Sequence, residues 1–110
     1  MANDTKFKIE DLKEGSGKEV TGGDFITIHY HGTLEDGTVF DSSVERGRPF
    51  QTRIGVGEVI EGWDMGVPGM KVGGKRKLTI PAALAYGDRA IGSIPAGSTL
   101  IFEVELINID

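Results

Sequence analysis

The stretch that decides the fold closes the chain: Leu100-Ile101-Phe102-Glu103-Val104-Glu105-Leu106-Ile107. Apolar side chains occupy every second position from Leu100 to Leu106, and the intervening positions include two glutamates. Because successive side chains of a strand point to opposite faces, this pattern predicts a strand with one buried and one solvated face. Such a strand needs neighbours, since its backbone N–H and C=O groups must be paired.

Other segments of the chain supply neighbours for that strand. Phe25-Ile26-Thr27-Ile28-His29-Tyr30-His31 alternates in the same way, with Ile26, Ile28 and Tyr30 on one face. Asp36-Gly37 is typical of a tight hairpin turn and connects this strand to Val39-Phe40. Extended patterns also occur at residues 7–12, 49–54 and 75–80, and Pro81 ends the last of these.

A short helix is predicted between two turns. Gly55-Val56-Gly57 marks the first turn, and Pro68-Gly69 ends the segment. Between them Ile60, Trp63 and Val67 recur at spacings of three and four, which is typical of an amphipathic helix. One helix and several antiparallel strands predict an α+β fold, in which a curved sheet packs on one short α-helix.

Length and composition restrict the class of protein. The 110 residues fit one domain, and we interpret residues 1–110 as a single unit whose residues 1–6 form a frayed tail. The net charge of −5 disfavours binding to nucleic acid. No apolar run reaches the about 20 residues of a membrane span. Because no secretory signal is visible, we expect a cytoplasmic protein, with a mature exported form as the alternative. From the charge and composition we expect a monomer.

Several reaction classes lack the residues that they need. The chain has no cysteine, which excludes disulfides, thiol catalysis and cysteine-bound metal centres. No serine lies in a Gly-x-Ser-x-Gly sequence, and the glycine-rich turn lacks the third glycine of a dinucleotide-binding loop. Four carboxylates lie near turns, where such groups are more often caps or solvated charges than an acid–base pair: Asp41, Glu58, Glu61 and Asp64.

Two other polar clusters have an ordinary explanation. His29 and His31 share one strand face and could present two imidazoles to a metal, but the sequence offers no obvious third ligand nearby. We therefore interpret them as exposed or hydrogen-bonded side chains, and we expect neither a metal nor a cofactor. A basic cluster is interpreted as a solvated strand face; its members are Lys71, Lys75, Arg76 and Lys77.

Six aromatic side chains remain to be explained: Tyr30, Phe40, Phe50, Trp63, Tyr86 and Phe102. They could simply be the core of a small domain. However, the placement of Trp63 at the start of the helix and of Tyr86 in a loop also fits the wall of an apolar cavity, which is the general form of a ligand site. The pattern alone leaves both interpretations open.

The order and spacing of several sequence strings go further than this pattern. They include Phe40-Asp41-Ser42-Ser43, Val59-Ile60-Glu61-Gly62-Trp63-Asp64 and Ala85-Tyr86-Gly87. The other strings are His29-Tyr30 with Gly32, Leu34-Glu35-Asp36-Gly37, Gly69-Met70-Lys71-Val72-Gly73, Leu78-Thr79-Ile80-Pro81, Ile94-Pro95 and the run from Thr99 to Leu106. In these strings the chain resembles the FKBP-type peptidyl-prolyl cis-trans isomerases, small single-domain form, along nearly its whole length. The resemblance implies an antiparallel sheet of five to six strands wrapped around one short helix.

The resemblance also implies a hydrophobic pocket between sheet and helix. Its catalytic residues would be Tyr30, Phe40, Asp41, Ile60, Trp63, Tyr86 and Phe102. Substrate or macrolide contacts would add Phe50, Glu58, Val59 and Ile94. Trp63 would form the floor, the backbone N–H of Ile60 and the hydroxyl of Tyr86 would bind substrate carbonyls, and Asp41 would be a modest contributor.

The implied activity is cis-trans isomerisation of Xaa-Pro bonds in peptides and in unfolded or flexible protein chains. The pocket would stabilise the twisted amide without covalent chemistry, and it would also bind macrolides such as tacrolimus and rapamycin. The alternative is a binding or scaffold module that retains the pocket with weak or no isomerase activity. Thr52 stands where the family often has an aromatic residue, and the loop at residues 87–95 is short, which predicts altered affinity for large ligands.

Overall fold

The computed structural model describes residues 6–110, so the predicted frayed tail lies outside the described residues except for Lys6. The strands are β1 (Lys8–Lys13), β2 (Phe25–Leu34), β3 (Val39–Ser42), β4 (Phe50–Arg53), β5 (Lys75–Ile80) and β6 (Leu100–Ile109). The helices are α1 (Ser43–Arg46), α2 (Glu61–Gly66) and a 3₁₀ turn (Ala82–Leu84).

The six strands form one antiparallel sheet in the order β1-β5-β6-β2-β3, and β4 also pairs with β2. The closing strand of the sequence, β6, lies between β5 and β2. The hairpin between β2 and β3 turns at Gly37, whose φ of +90° is a left-handed conformation that favours glycine. The predicted α+β architecture is therefore confirmed.

The alternation in β2 and β6 decides which face of the sheet is buried. Ile26, Ile28 and Tyr30 of β2 are buried, whereas His29 and its alternate neighbours are partly exposed. In β6 the buried side chains are Leu100, Phe102, Val104 and Leu106. The core lies between this face and α2, as the period-two pattern predicts.

The helix α2 packs unusually close to the sheet because two of its six residues are glycines on the same face. A Cβ atom at Gly62 would lie 2.5 Å from Cγ2 of Ile80, and one at Gly66 would lie 2.7 Å from Cδ2 of Leu78. Any larger side chain at these positions would therefore push the helix away from β5. Trp63, which directly follows Gly62 in the helix, is buried.

The prediction of a single helix was incomplete. The one-turn helix α1 begins after Ser42, whose hydroxyl accepts the N–H of Glu45, and ends at Gly47 with a φ of +69°. The 3₁₀ turn follows Pro81 directly, in a segment for which the sequence predicted no helix. Both are too short to show a hydrophobic period. None of the helices formed by residues 6–110 has the length and apolar character needed to cross a lipid bilayer.

The interpretation of Arg76 as a solvated strand residue was wrong. Its side chain is 11% exposed, and Nη1 donates to the carbonyl oxygens of Gly66 and Pro68 at 2.8 and 3.2 Å. Nε donates to Asp11 on β1 at 2.7 Å. The guanidinium thus satisfies carbonyl groups at the end of α2 and just after it, which accept no other hydrogen bond from residues 6–110.

We expect Arg76→Ala to lower the free energy of unfolding by about 1.5–3 kcal/mol, because hydrogen bonds from a charged donor would be lost and carbonyls left unpaired. Chemical denaturation monitored by Trp63 fluorescence measures this loss. Lys75→Ala, at an exposed position of the same strand, is the matched control. Equal losses for the two variants would contradict the role given to the guanidinium.

Candidate functional site

A cavity of about 220 Å³ lies between α2 and the buried face of the sheet. Its lining combines side chains from four strands, from α2 and from the loops beside α2 and the 3₁₀ turn. The lining residues are Tyr30, Phe40, Asp41, Phe50, Glu58, Val59, Ile60, Trp63, Tyr86 and Phe102. Of the residues that the resemblance implied for the pocket, Ile94 lies outside this lining; it is buried, and its backbone pairs with Ile91.

Trp63 is the centre of an aromatic cluster in the cavity. Its ring centroid lies 5.2 Å from those of Tyr30 and Phe102 and 6.1 Å from that of Phe50, and all three contacts are edge-to-face. Edge-to-face pairs at such distances stabilise beyond simple burial. The indole Nε1 is buried and has no hydrogen-bond acceptor among residues 6–110. The tryptophan is therefore held by ring packing and not by a polar contact.

Gly32 leaves the space that two of these rings occupy. A Cβ atom at this position of β2 would lie 2.6 Å from Cζ of Phe40 and 2.9 Å from Cε1 of Phe102. The rings of Phe40 and Phe102 also contact each other, with centroids 5.4 Å apart and planes at 90°. The absence of a side chain at Gly32 thus allows the rings of Phe40 and Phe102 to lie where they form two walls of the cavity.

On the isomerase activity that the resemblance implies, we expect Gly32→Ala to lower kcat/KM for a Xaa-Pro peptide by about tenfold or more, because the added methyl group displaces both rings and small misplacements in a site are costly. A protease-coupled or NMR isomerisation assay measures the effect. Gly22→Ala adds a methyl group with nothing within 4 Å and should leave kcat/KM unchanged. A wild-type rate for a folded Gly32→Ala protein would contradict this assignment of the walls.

The polar side of the cavity is a three-residue hydrogen-bond network. The hydroxyl of Tyr30 donates to Oδ2 of Asp41 at 2.7 Å and accepts from Nη2 of Arg46 at 3.0 Å. Nη1 of Arg46 also pairs with Oδ1 of Asp41. Arg46 was not identified from the sequence, because it reaches Tyr30 only through the unpredicted helix α1.

The network shifts the acidity of two of its members. Partial burial alone would raise the pKa of Asp41, but hydrogen bonds from Tyr30 and Arg46 outweigh it, and the pKa lies below its ordinary value. Burial, together with the neighbouring Asp41 carboxylate, raises the pKa of Tyr30 above its ordinary value although Arg46 opposes the shift. The network therefore consists of a carboxylate, a neutral phenol and a guanidinium at neutral pH.

We expect Asp41→Ala to lower kcat/KM by about fivefold, roughly the value of one ordinary hydrogen bond, since Tyr30 keeps its ring contacts but loses its acceptor. Because the folded-state pKa of Asp41 is lowered, its ionised form stabilises the fold above the unfolded-state pKa. That contribution is lost as the pH falls through the folded-state pKa. Unfolding curves recorded at several acidic pH values should show this component in the wild type and not in the variant.

Glu45→Gln, at an exposed position of α1, serves as the charge-matched control for both measurements. An Asp41→Ala protein with a loss of kcat/KM far above about fivefold would contradict the modest role expected of the carboxylate.

Among the hydrogen-bond donors at the cavity that lack a partner within residues 6–110, the N–H of Ile60 and the hydroxyl of Tyr86 are the two that the resemblance assigns to substrate carbonyls. The carbonyl of Ile60 accepts the N–H groups of Trp63 and Asp64 at 2.9 and 3.3 Å, but the N–H of Ile60 donates to no other group there. The hydroxyl of Tyr86 likewise makes no hydrogen bond in the described part of the chain, and the residue is 37% exposed. Both donors are therefore available to a ligand.

Thr52 and Glu58 explain one departure from the family pattern. Thr52 is buried, and its hydroxyl lies 3.4 Å from Oε1 of Glu58, which also accepts the N–H of Arg53 at 3.2 Å. The carboxylate of Glu58 thus binds groups at the end of β4. Thr52 itself does not line the cavity.

Each of the two histidines is hydrogen-bonded to a serine, which agrees with the interpretation from the sequence. Nδ1 of His29 lies 2.9 Å from the hydroxyl of Ser43, and Nδ1 of His31 lies 2.9 Å from that of Ser42. The Ser43 hydroxyl also accepts the N–H of Tyr30 at 2.7 Å and donates to the Tyr30 carbonyl at 3.2 Å. Across residues 6–110, no three His, Cys, Asp or Glu side chains form a group able to hold a metal ion.

Residues 16–107 match the model of one protein family, described as FKBP-type peptidyl-prolyl cis-trans isomerase. The chain is 59% identical to a protein named FK506-binding protein from Neisseria meningitidis serogroup A, over 92% of this chain and 94% of that protein. It is 55% identical to FK506-binding protein 1 of Debaryomyces hansenii, with each chain covered completely.

Two solved structures have the same fold. The structure of AtFKBP13 superimposes with a TM-score of 0.88 at 47% identity and covers 94% of this chain and 93% of its own. FkpA from Escherichia coli gives a TM-score of 0.87 at 39% identity and covers this chain completely, whereas the match spans 51% of the FkpA chain.

Proposed function

The chain belongs to the family of FKBP-type peptidyl-prolyl cis-trans isomerases and is an enzyme of that type, and from this premise we propose that the cavity around Trp63 is the site where the Xaa-Pro bond rotates. One observation carries the proposal: an aromatic cavity beside which two hydrogen-bond donors, the N–H of Ile60 and the hydroxyl of Tyr86, have no partner in the described chain. Rotation needs such a site and no nucleophile.

The physical demand of the reaction fits these groups. Resonance gives the peptide C–N bond partial double-bond character, and its rotation barrier is about 18–20 kcal/mol. The planar amide is the more charge-separated form, so transfer into an apolar cavity disfavours it relative to the twisted amide. An enzyme accelerates this reaction by binding the twisted form more tightly than the planar one.

Each wall of the cavity has a distinct part in this mechanism. Trp63 supports the proline ring from below, while Tyr30, Phe40 and Phe102 enclose it and exclude water. The N–H of Ile60 and the hydroxyl of Tyr86 bind carbonyl groups of the substrate and fix the chain on either side of the rotating bond. Asp41 and Arg46 orient Tyr30 and contribute less.

The same cavity is proposed to bind FK506-type macrolides. Relatives that share more than half of their residues with this chain carry the name FK506-binding protein, and the cavity offers both apolar walls and carbonyl-binding donors. The substrates proposed are proline-containing peptides and flexible segments of protein clients, and the active form proposed is the monomeric single domain of residues 1–110.

The test is an NMR exchange measurement on a Leu-Pro or Phe-Pro peptide, with and without rapamycin. We expect substoichiometric protein to accelerate cis-trans exchange and rapamycin to suppress that acceleration. Binding of rapamycin without acceleration would instead identify a binding module that retains only the cavity.

A matched pair of variants tests the location of the site. Phe102→Ala removes a ring from the cavity, whereas Phe25→Ala removes a partly exposed ring that does not line it. Only the first should slow exchange and weaken rapamycin binding. If a folded Phe102→Ala protein kept the wild-type rate, the cavity would not be the active site.

A further inference from the structure

The loop between β4 and α2, residues 54–60, forms one wall of the cavity and has no regular secondary structure. It contributes Glu58, Val59 and Ile60 to the lining. Two of its residues, Gly55 and Gly57, have φ angles of +84° and +82°, which glycine adopts without steric cost. The shape of this wall therefore depends on contacts that hold a chain with unusual backbone freedom.

The carboxylate of Asp64 makes two of those contacts. Oδ1 accepts the N–H of Gly55 at 2.7 Å, and Oδ2 accepts the N–H of Gly57 at 2.8 Å. Both are short, as expected when the acceptor is charged. Among residues 6–110, these are the hydrogen bonds that the backbone N–H groups of residues 55–59 make.

The position of Asp64 in the helix connects this loop to the floor of the cavity. Asp64 follows Trp63 directly, and the N–H groups of both residues donate to the carbonyl of Ile60. One turn of α2 thus holds the tryptophan with its own backbone and the glycine loop with a side chain. Displacement of the loop would move Val59 and the N–H of Ile60 relative to Trp63.

We propose that Asp64 is a positioning residue for the isomerase: its two hydrogen bonds set the loop so that the N–H of Ile60 and the side chain of Val59 face the substrate above Trp63. This inference rests on the proposed function of the cavity. Because the N–H of Ile60 would bind a substrate carbonyl in the ground state and in the transition state alike, Asp64 acts on KM and not on kcat.

The test compares Asp64→Asn with the wild type by two readouts. Asparagine has the same shape but only one acceptor oxygen, so one of the two loop N–H groups loses its partner. We expect KM for a Xaa-Pro peptide to rise about tenfold, with kcat within about twofold of the wild type. The amide proton shifts of Gly55 and Gly57, read by NMR, report directly whether the two hydrogen bonds are present.

Asp36→Asn is the matched control. Asp36 also accepts a backbone N–H, that of Thr38 at 2.9 Å, but in the exposed β2–β3 hairpin. Its loss should change the shifts of that hairpin and leave KM at the wild-type value. If the role of Asp64 were merely structural, Asp64→Asn would lower the stability as Asp36→Asn does, without a selective change of KM.

Asp64→Glu retains both carboxylate oxygens on a longer side chain. It tests the same proposal if Asp64→Asn does not fold. The proposal holds if a change in the Gly55 and Gly57 shifts is accompanied by a change in KM, and if wild-type shifts are accompanied by a wild-type KM. It is overturned if the shifts of either variant change and KM stays within about twofold of the wild type. A wild-type protein without isomerase activity would refute the proposed function instead, and the amide shifts would still report the loop contacts.

Discussion

Replacing Trp63 by alanine is expected to lower kcat/KM for a Xaa-Pro peptide about 100-fold, the largest effect of any single substitution in the cavity. The indole contacts three of the other rings, with centroid distances of 5.2, 5.2 and 6.1 Å. Its removal leaves the proline ring without a floor and lets water enter, so the preference for the twisted amide is lost. NMR exchange on a Leu-Pro peptide measures the rate directly.

Stability and activity must be separated in this experiment. Truncation of a buried tryptophan costs about 3–5 kcal/mol of folding free energy, which many small domains tolerate only marginally. Trp63→Phe keeps an aromatic floor and also removes an indole N–H that lacks an acceptor within residues 6–110. We therefore expect a smaller loss of stability and a kcat/KM within about tenfold of the wild type. If the folded alanine variant is no slower than the phenylalanine variant, the indole is not the floor.

The second large effect is expected at Gly62, where valine should lower the free energy of unfolding by about 3 kcal/mol. A Cβ atom there lies 2.5 Å from a side chain, that of Ile80, which is completely buried and cannot move aside. Helix α2 would have to rise from β5, and the floor of the cavity would rise with it. Chemical denaturation gives the stability, and the isomerisation assay gives the accompanying loss of activity.

Gly22→Ala is again the appropriate control, because its added methyl group meets no atom within 4 Å. The free energy of unfolding of Gly62→Ala should lie between those of Gly62→Val and Gly22→Ala. Alanine gains about 1 kcal/mol of helix propensity, against a similar or larger steric cost. A Gly62→Val protein as stable as the wild type would mean that α2 does not pack as closely as described.

The strands were predictable because their signals are local. β5 begins and ends where the sequence predicted, at Lys75 and Ile80, because alternation and a following proline act on neighbouring residues. Helix α1 was missed because four residues show no hydrophobic period. A signal did exist: Ser42 and Glu45 have the Ser-x-x-Glu spacing that is typical of a helix N-terminus.

The candidate site was less accessible to pattern analysis. Alternation placed Tyr30 and Phe102 on buried faces, but whether six aromatic residues form a core or a cavity depends on the space that Gly32 and Gly62 leave, and a sequence pattern does not show space. The resemblance to the isomerase family resolved that choice and suggested the lining, while the catalytic roles stay predictions. Neither the sequence pattern nor the resemblance indicated Arg46, since its contact with Tyr30 joins residues that are 16 positions apart in the chain.

The serine that joins β2 to α1 also replaces a missing strand partner. The pairing of β2 with β4 ends at Ile28, and its pairing with β3 begins at His31. Between these two strands, the hydroxyl of Ser43 accepts the N–H of Tyr30 at 2.7 Å and donates to the Tyr30 carbonyl at 3.2 Å. One side chain thus satisfies both backbone groups of Tyr30 at the gap between β4 and β3.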